Sequence, residues 1–226
     1  SSLCGPSSAA MASLTPDHGE QLVKFAAEDG PLLEGLLHTT STSDVAVVCL
    51  HPHPLMGGDM YSAVVGGVVK ALGKLGITTL RFNFRGAGAS QGMHTKGAKE
   101  PLDVAGAVAF LKQQVQAKRV LVMGYSFGAA MAAAYARQRP GDLDAVVAVA
   151  PPPTEDLTRV TKPMLVLAAE HDEVMPVDKV EEAAHKASAE FRIVPGADHM
   201  FYFGCHEVAT AASEWVAGWA SGGAKL

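Results

Sequence analysis

The chain has 226 residues, 48% hydrophobic and 18% charged, a balance that fits one ordinary globular domain with a sizeable core. A net charge of −5 and the lack of any Lys/Arg run argue against a nucleic-acid partner, and no apolar stretch is long enough to span a bilayer. Cys4, Cys49 and Cys205 cannot all pair with one another, and Cys49 falls inside an apolar run that reads as a buried strand, which fits a reducing compartment.

Residues 1–17 are rich in Ser and Ala and have neither a basic n-region nor an apolar h-region, so they read as a mobile N-terminal tail rather than a secretory signal, with Met11 a candidate native start. A single α/β domain is expected over 18–220 and a flexible C-terminal tail over 221–226. Two early strands, near Gln21–Phe25 and Leu32–Leu37, are expected to form an antiparallel edge. Val45–Leu50 reads as a buried strand that runs into His51-Pro52-His53-Pro54. A helix near Tyr61–Leu75 and a strand at Ile77–Phe82 follow. The glycines after that strand invite a nucleotide reading, but Gly86-x-Gly88 would need its third glycine at position 91, which is Gln91. A tight, exposed loop near the edge of the sheet is the better account, and no cofactor is implied. The next helix is expected near Pro101–Gln116.

Arg119–Met123 is an apolar, β-prone run that leads into Gly124-Tyr125-Ser126-Phe127-Gly128, and the alanine-rich segment after it favours a helix. Gly-x-Ser-x-Gly between a strand and a helix is the pattern of a nucleophile elbow. A serine at the apex of so sharp a turn has a strained backbone that only small neighbours tolerate, which accounts for a glycine two residues to either side. The N–H of Phe127, the first amide of the following helix, can donate to a developing oxyanion, and the helix dipole favours the negative charge.

Ala145–Ala150 is another buried strand, and Met164–Ala169 a further one that ends in Glu170-His171-Asp172-Glu173. A carboxylate just past such a strand end lies on the edge of the sheet where ligands bind. A helix over Val177–Ala189, the strand-like Phe191–Val194, the loop Pro195–Phe201 with His199, and a helix over Glu207–Trp219 complete the chain. The order serine, acid, histidine is therefore present. Ser126 is the candidate nucleophile, His199 the base and acid, and Asp172 the group that fixes the imidazole tautomer. Glu170, Glu173 and Asp198 are alternative acids, each more often a solvated loop charge. Among the nine histidines, His185 and His206 read as helix residues, and His171 is the more serious rival to His199.

These residues resemble the α/β-hydrolase superfamily. More narrowly, His51–Gly58 together with Leu80–Ser90 is similar to a group of small members without a lid, and the likeness runs from about Val45 to Trp219. The resemblance implies a mostly parallel, twisted sheet with helices on both faces and no cap domain, since only Pro151 to Pro163 separates the two strands between which many relatives insert a cap. It also implies a second oxyanion donor in the loop after Leu50. Pro52 and Pro54 have no N–H, so among the first four loop residues only His51 and His53 can donate from the backbone, and the motif position points to the amide of His53, with Leu55 and Met56 as fallbacks. No ligand set of recognised spacing accompanies His51-x-His53, so no metal is implied. Walls for an open site are expected from 55–61, 85–97, 151–156 and 200–203, with Met56, Met60, Met93, Met175, Met200, Phe201 and Phe203 as apolar candidates, several of which are also core candidates.

The expected activity is a serine hydrolase acting on a small-molecule carboxylic ester or thioester through an acyl-enzyme. The alternatives are a peptidase or amide hydrolase on the same three residues, or a noncatalytic binding protein on the same fold. The compartment is expected to be intracellular. Ala224-Lys225-Leu226 resembles a peroxisomal address of the Ser-Lys-Leu type, which would have meaning only in a eukaryotic source.

Overall fold

The computed structural model describes residues 19–40 and 44–222. The N-terminal tail, Met11, Cys4 and the C-terminal tripeptide lie outside the described residues. Eight strands form one sheet: β1 (Gln21–Ala26), β2 (Leu32–His38), β3 (Val45–Leu50), β4 (Thr78–Phe82), β5 (Arg119–Tyr125), β6 (Ala145–Val149), β7 (Met164–Ala169) and β8 (Glu190–Val194). Their order across the sheet is β1-β2-β4-β3-β5-β6-β7-β8. β1 and β2 pair antiparallel, β2 meets β4 antiparallel, and every pairing from β4 to β8 is parallel. The antiparallel edge is as the strand pattern predicts, and the parallel body is as the resemblance implies.

The parallel strands need crossovers, and five helices supply them or close the chain: α1 (Ala63–Lys74), α2 (Glu100–Val115), α3 (Phe127–Gln138), α4 (Val177–Lys186) and α5 (Cys205–Ala220). β3, β4, β6 and β7 are buried along their whole length, which explains why they read as unbroken apolar runs rather than as alternating patterns. Along β3 and β5 the side chains nevertheless alternate between two cores. Val48, Leu50 and Val122 face the layer of α2, α3 and α4. Val47, Cys49, Leu121 and Met123 face α1 and α5. α1 turns Val64, Val65, Val68, Val69 and Leu72 inward, a stripe at helical spacing, while α3 meets the sheet mainly through alanines.

Between Ala150 and Pro163 lies only one short 3₁₀ turn, Leu157–Arg159, whose first amides are capped by Asp156 accepting from Thr158 N at 3.1 Å. No cap domain is inserted there, so the loops at the carboxyl ends of the strands are left uncovered by a separate layer.

The loop after β4 departs from the expected exposed turn. Asn83, Phe84, Arg85, Ala87 and Ser90 are buried. Arg85 donates from Nε and Nη2 to Asp103 Oδ1 at 2.9 and 2.6 Å, and from Nη1 and Nη2 to Asp29 at 3.0 and 2.6 Å, while Asp103 Oδ2 accepts from the Arg85 amide at 3.0 Å. The loop is tied down because one guanidinium supplies enough donors to satisfy two carboxylates at once.

Candidate active site

Ser126 stands at the apex between β5 and α3 with φ +53° and ψ −114°. Its N–H donates to Val149 O at 2.8 Å, which ties the turn to β6, and its carbonyl accepts from Ala129 and Ala130 N at 2.9 and 3.1 Å, which starts α3. The flanking glycines are required by space. A Cβ on Gly124 would meet Gly128 O at 2.2 Å, and one on Gly128 would meet Leu50 O at 2.5 Å and His51 O at 2.7 Å. The turn is therefore too tight for any side chain at either position.

Asp172 lies just past the end of β7, in a bend that its own side chain closes. Oδ1 accepts from Val174 N at 2.9 Å and Met175 N at 2.7 Å. Oδ2 faces His199 Nδ1 at 2.7 Å, and the carboxylate is almost fully buried. His199 Nε2 faces Ser126 Oγ at 3.1 Å. A carboxylate accepts only, so it draws the imidazole proton to Nδ1 and leaves the Nε2 lone pair turned to the serine hydroxyl. Three residues separated by up to 73 positions in the chain thus form one continuous hydrogen-bonded row.

The rival groups are occupied elsewhere or exposed. Glu170 Oε2 accepts from Gly196 N at 2.7 Å and Asp198 Oδ1 from Met200 N at 3.0 Å, so both shape turns. Glu173 is exposed, and exposed His171 stands 3.8 Å from the Glu170 carboxylate. His185 packs against Phe191, and His206 lies in the first turn of α5.

The loop after β3 reaches the start of α3. His53 caps the 3₁₀ turn Pro54–Met56: its Nδ1 accepts from Leu55 N at 3.2 Å and its carbonyl from Met56 N at 3.0 Å. The two fallback oxyanion donors, the amides of Leu55 and Met56, are thus already engaged within the turn. The His53 ring sits 5.0 Å from the Phe127 ring and 4.8 Å from that of His94, and its pKa is lowered by burial and then by His94. His51 is fully buried, with Nδ1 2.6 Å from Pro52 O and Nε2 accepting from Phe84 N at 3.0 Å. Burial pushes its pKa down to about 4. Both ring nitrogens serve the loop, which leaves none for a metal. Among the described residues, no group of three His, Cys, Asp or Glu is arranged to hold one.

Some candidate wall residues belong to the core. Met60 and Phe201 are fully buried, and Met175 packs against the α2–α4 layer. Met56, Met93, Met200 and Phe203 are exposed, as are Leu55 and Val174. Two further features carried no recognisable sequence signal. Tyr125 donates to the carbonyl of His199. Glu100, buried at the start of α2, accepts from Thr95 N and Oγ1 at 2.6 Å each and from Gly97 N at 2.8 Å, and His94 Nδ1 stands 3.0 Å from it without hydrogen-bond alignment.

Residues 85–219 match the model of the dienelactone hydrolase family. The chain belongs to that family. As a member it is a hydrolase, and its nucleophile-elbow half is the part the family model spans. The protein is also similar to the uncharacterized protein RP471 of Rickettsia prowazekii, with 30% identity over 209 residues that make up 86% of this chain and 87% of the relative. Among solved structures it is similar to an alpha-beta serine hydrolase homologue from Coxiella burnetii, at 29% identity and a TM-score of 0.78, covering 91% of this chain and 100% of the other. It is likewise similar to XC6422 from Xanthomonas campestris, described as an a/b serine hydrolase without lid, at 25% identity and a TM-score of 0.81, covering 91% and 97%. Those likenesses agree with the α/β-hydrolase fold and with the missing cap.

Proposed function

We propose that this dienelactone hydrolase family member is a serine hydrolase that cleaves carboxylic esters or thioesters of small molecules through an acyl-enzyme. The observation that carries this reading is the row Ser126 Oγ, His199 Nε2, His199 Nδ1, Asp172 Oδ2, with contacts of 3.1 and 2.7 Å. Ser126 Oγ attacks the substrate carbonyl carbon while His199 Nε2 takes its proton, and the imidazolium so formed is stabilised by Asp172. The negative charge that develops on the carbonyl oxygen is received by the amide of Phe127 at the start of α3 and by the amide of His53. Collapse of the tetrahedral intermediate breaks the bond to the alcohol or thiol, which takes the proton from Nε2. Water, deprotonated by the same nitrogen, then attacks the acyl carbon and releases the acid and a free serine.

Solved relatives described as serine hydrolases, one of them as lacking a lid, support the nucleophile class and the open site. The test is hydrolysis of matched chromogenic esters, thioesters and anilides by the wild type and by Ser126→Ala. Turnover of esters or thioesters that disappears in the variant is expected. Equal turnover by a folded Ser126→Ala protein would refute the reading, and cleavage of anilides alone would shift it to amide hydrolysis.

A further inference from the structure

Tyr125 occupies the position just before the elbow serine, where the motif asks only for a residue that fits a strand end. Its surroundings are more particular than that. The side chain is buried, its hydroxyl donates to the backbone carbonyl of His199 at 2.5 Å, and the two residues are 74 positions apart in the chain. The Tyr125 ring lies 5.9 Å from the His199 ring and 5.7 Å edge-on from the Phe201 ring. Phe201 is held at φ +52°, an unfavourable conformation for an aromatic residue that lets its side chain bury fully. The His199 loop is therefore clasped to the end of β5 at two points, by a ring contact and by a hydroxyl.

We infer that the Tyr125 hydroxyl is a positioning residue for the base: by fixing the His199 carbonyl to the strand that ends in Ser126, it sets the Nε2 to Oγ separation and keeps Nδ1 on Asp172. This rests on the serine-hydrolase reading above. The physical need follows from the other restraints on the histidine. Asp172 and Ser126 hold only the ring, at Nδ1 and Nε2, and the turn at Asp198, which accepts from Phe201 N and Met200 N at 3.0 Å each, is internal to the loop, so none of these ties the backbone of the base to β5. The hydroxyl couples the backbone of the base directly to the residue adjoining the nucleophile, and a shift of under 1 Å in such a contact is enough to slow proton transfer strongly. Burial and the nearby Asp172 carboxylate raise the Tyr125 pKa, so the hydroxyl remains a donor across the range in which the base works.

The test is a cycle of four proteins, wild type, Tyr125→Phe, Asp172→Asn and the double variant, assayed on one short-chain chromogenic ester with thermal melts alongside. Tyr125→Phe keeps the ring on Phe201, so a change of only a few degrees in Tm is expected for the loss of one hydrogen bond. The expected result is a fall in kcat of roughly 10- to 100-fold with KM within about twofold, and a loss of less than about threefold when the same change is made in Asp172→Asn, where the wrong imidazole tautomer already keeps Nε2 from acting as the base it positions. Incorporating 3-fluorotyrosine at 125, which retains the hydroxyl, should restore most of the wild-type kcat. A folded Tyr125→Phe enzyme with kcat within about twofold of wild type, or the same loss in both backgrounds, would overturn the assignment. Ser126→Ala in the same assay separates the two failures: its normal turnover would sink the serine mechanism itself, whereas its inactivity beside a fully active Tyr125→Phe would sink only the role of Tyr125.

Discussion

Replacing Asp172 by Asn keeps the size of the side chain and its acceptor for Val174 and Met175, but turns an amide toward His199 Nδ1 and so favours the wrong imidazole tautomer. The expected loss is on the order of 10⁴ in kcat with little change in Tm, and that in His199→Ala should be at least comparable. Steady-state rates and melts on the same samples check both, and a His199→Ala enzyme of normal activity would pass the role of base to His171. His51 makes a different prediction, on stability. Its pKa is about 4 in the folded chain against 6.5 for the free side chain, so the folded state binds fewer protons between those values. The contribution of the neutral ring is complete above about pH 6.5 and is lost as the pH falls toward 4, a change of about 3 kcal/mol. Urea unfolding at pH 7.5 and 4.5 should show it, and His51→Gln should flatten the slope.

At the level of the elements, the elbow is fixed by close approach rather than by attraction. Gly128→Ala would drive a methyl group into the carbonyls of Leu50 and His51, at 2.5 and 2.7 Å, and push α3 off the end of β3. A destabilisation of about 3 kcal/mol is expected, with loss of activity greater than the fall in Tm explains, because the Phe127 amide moves with the helix. Arg85→Ala should cost about 3–5 kcal/mol, since it strands the buried Asp103, while removing Arg85 and Asp103 together should cost less than the two separate losses combined. Denaturant titrations of the two single variants and the double test that.

These two sites also show what was legible in the sequence. The elbow was, because Gly-x-Ser-x-Gly falls between a strand and a helix, and Asp172 and His199 were placed beside it because a parallel sheet brings successive strand ends to one edge. Arg85 with Asp29 and Asp103, and Tyr125 with the His199 carbonyl, were not. Each joins residues 18 to 74 positions apart through contacts that no local periodicity encodes. Met60 and Phe201 were candidate wall residues and prove to be core, since an apolar side chain on a loop looks the same in sequence whichever way it turns.

At the scale of the fold, the absence of a cap between β6 and β7 describes a site without an enclosing chamber. Short and medium acyl groups should be turned over best, and bulky alcohols or thiols tolerated, because they can project into solvent. A series of esters of increasing acyl length, compared by kcat/KM, checks this, and a steady rise toward long chains with short ones nearly inert would contradict it. The proposed mechanism requires that, among the described residues, Ser126 be the hydroxyl backed by both a base and an oxyanion site. Intact-mass analysis after treatment with a fluorophosphonate tests it most directly. A single adduct is expected, mapped to Ser126, formed by the wild type and absent from a folded Ser126→Ala protein, whereas an adduct on any other residue, or undiminished labelling of that variant, would refute the serine mechanism.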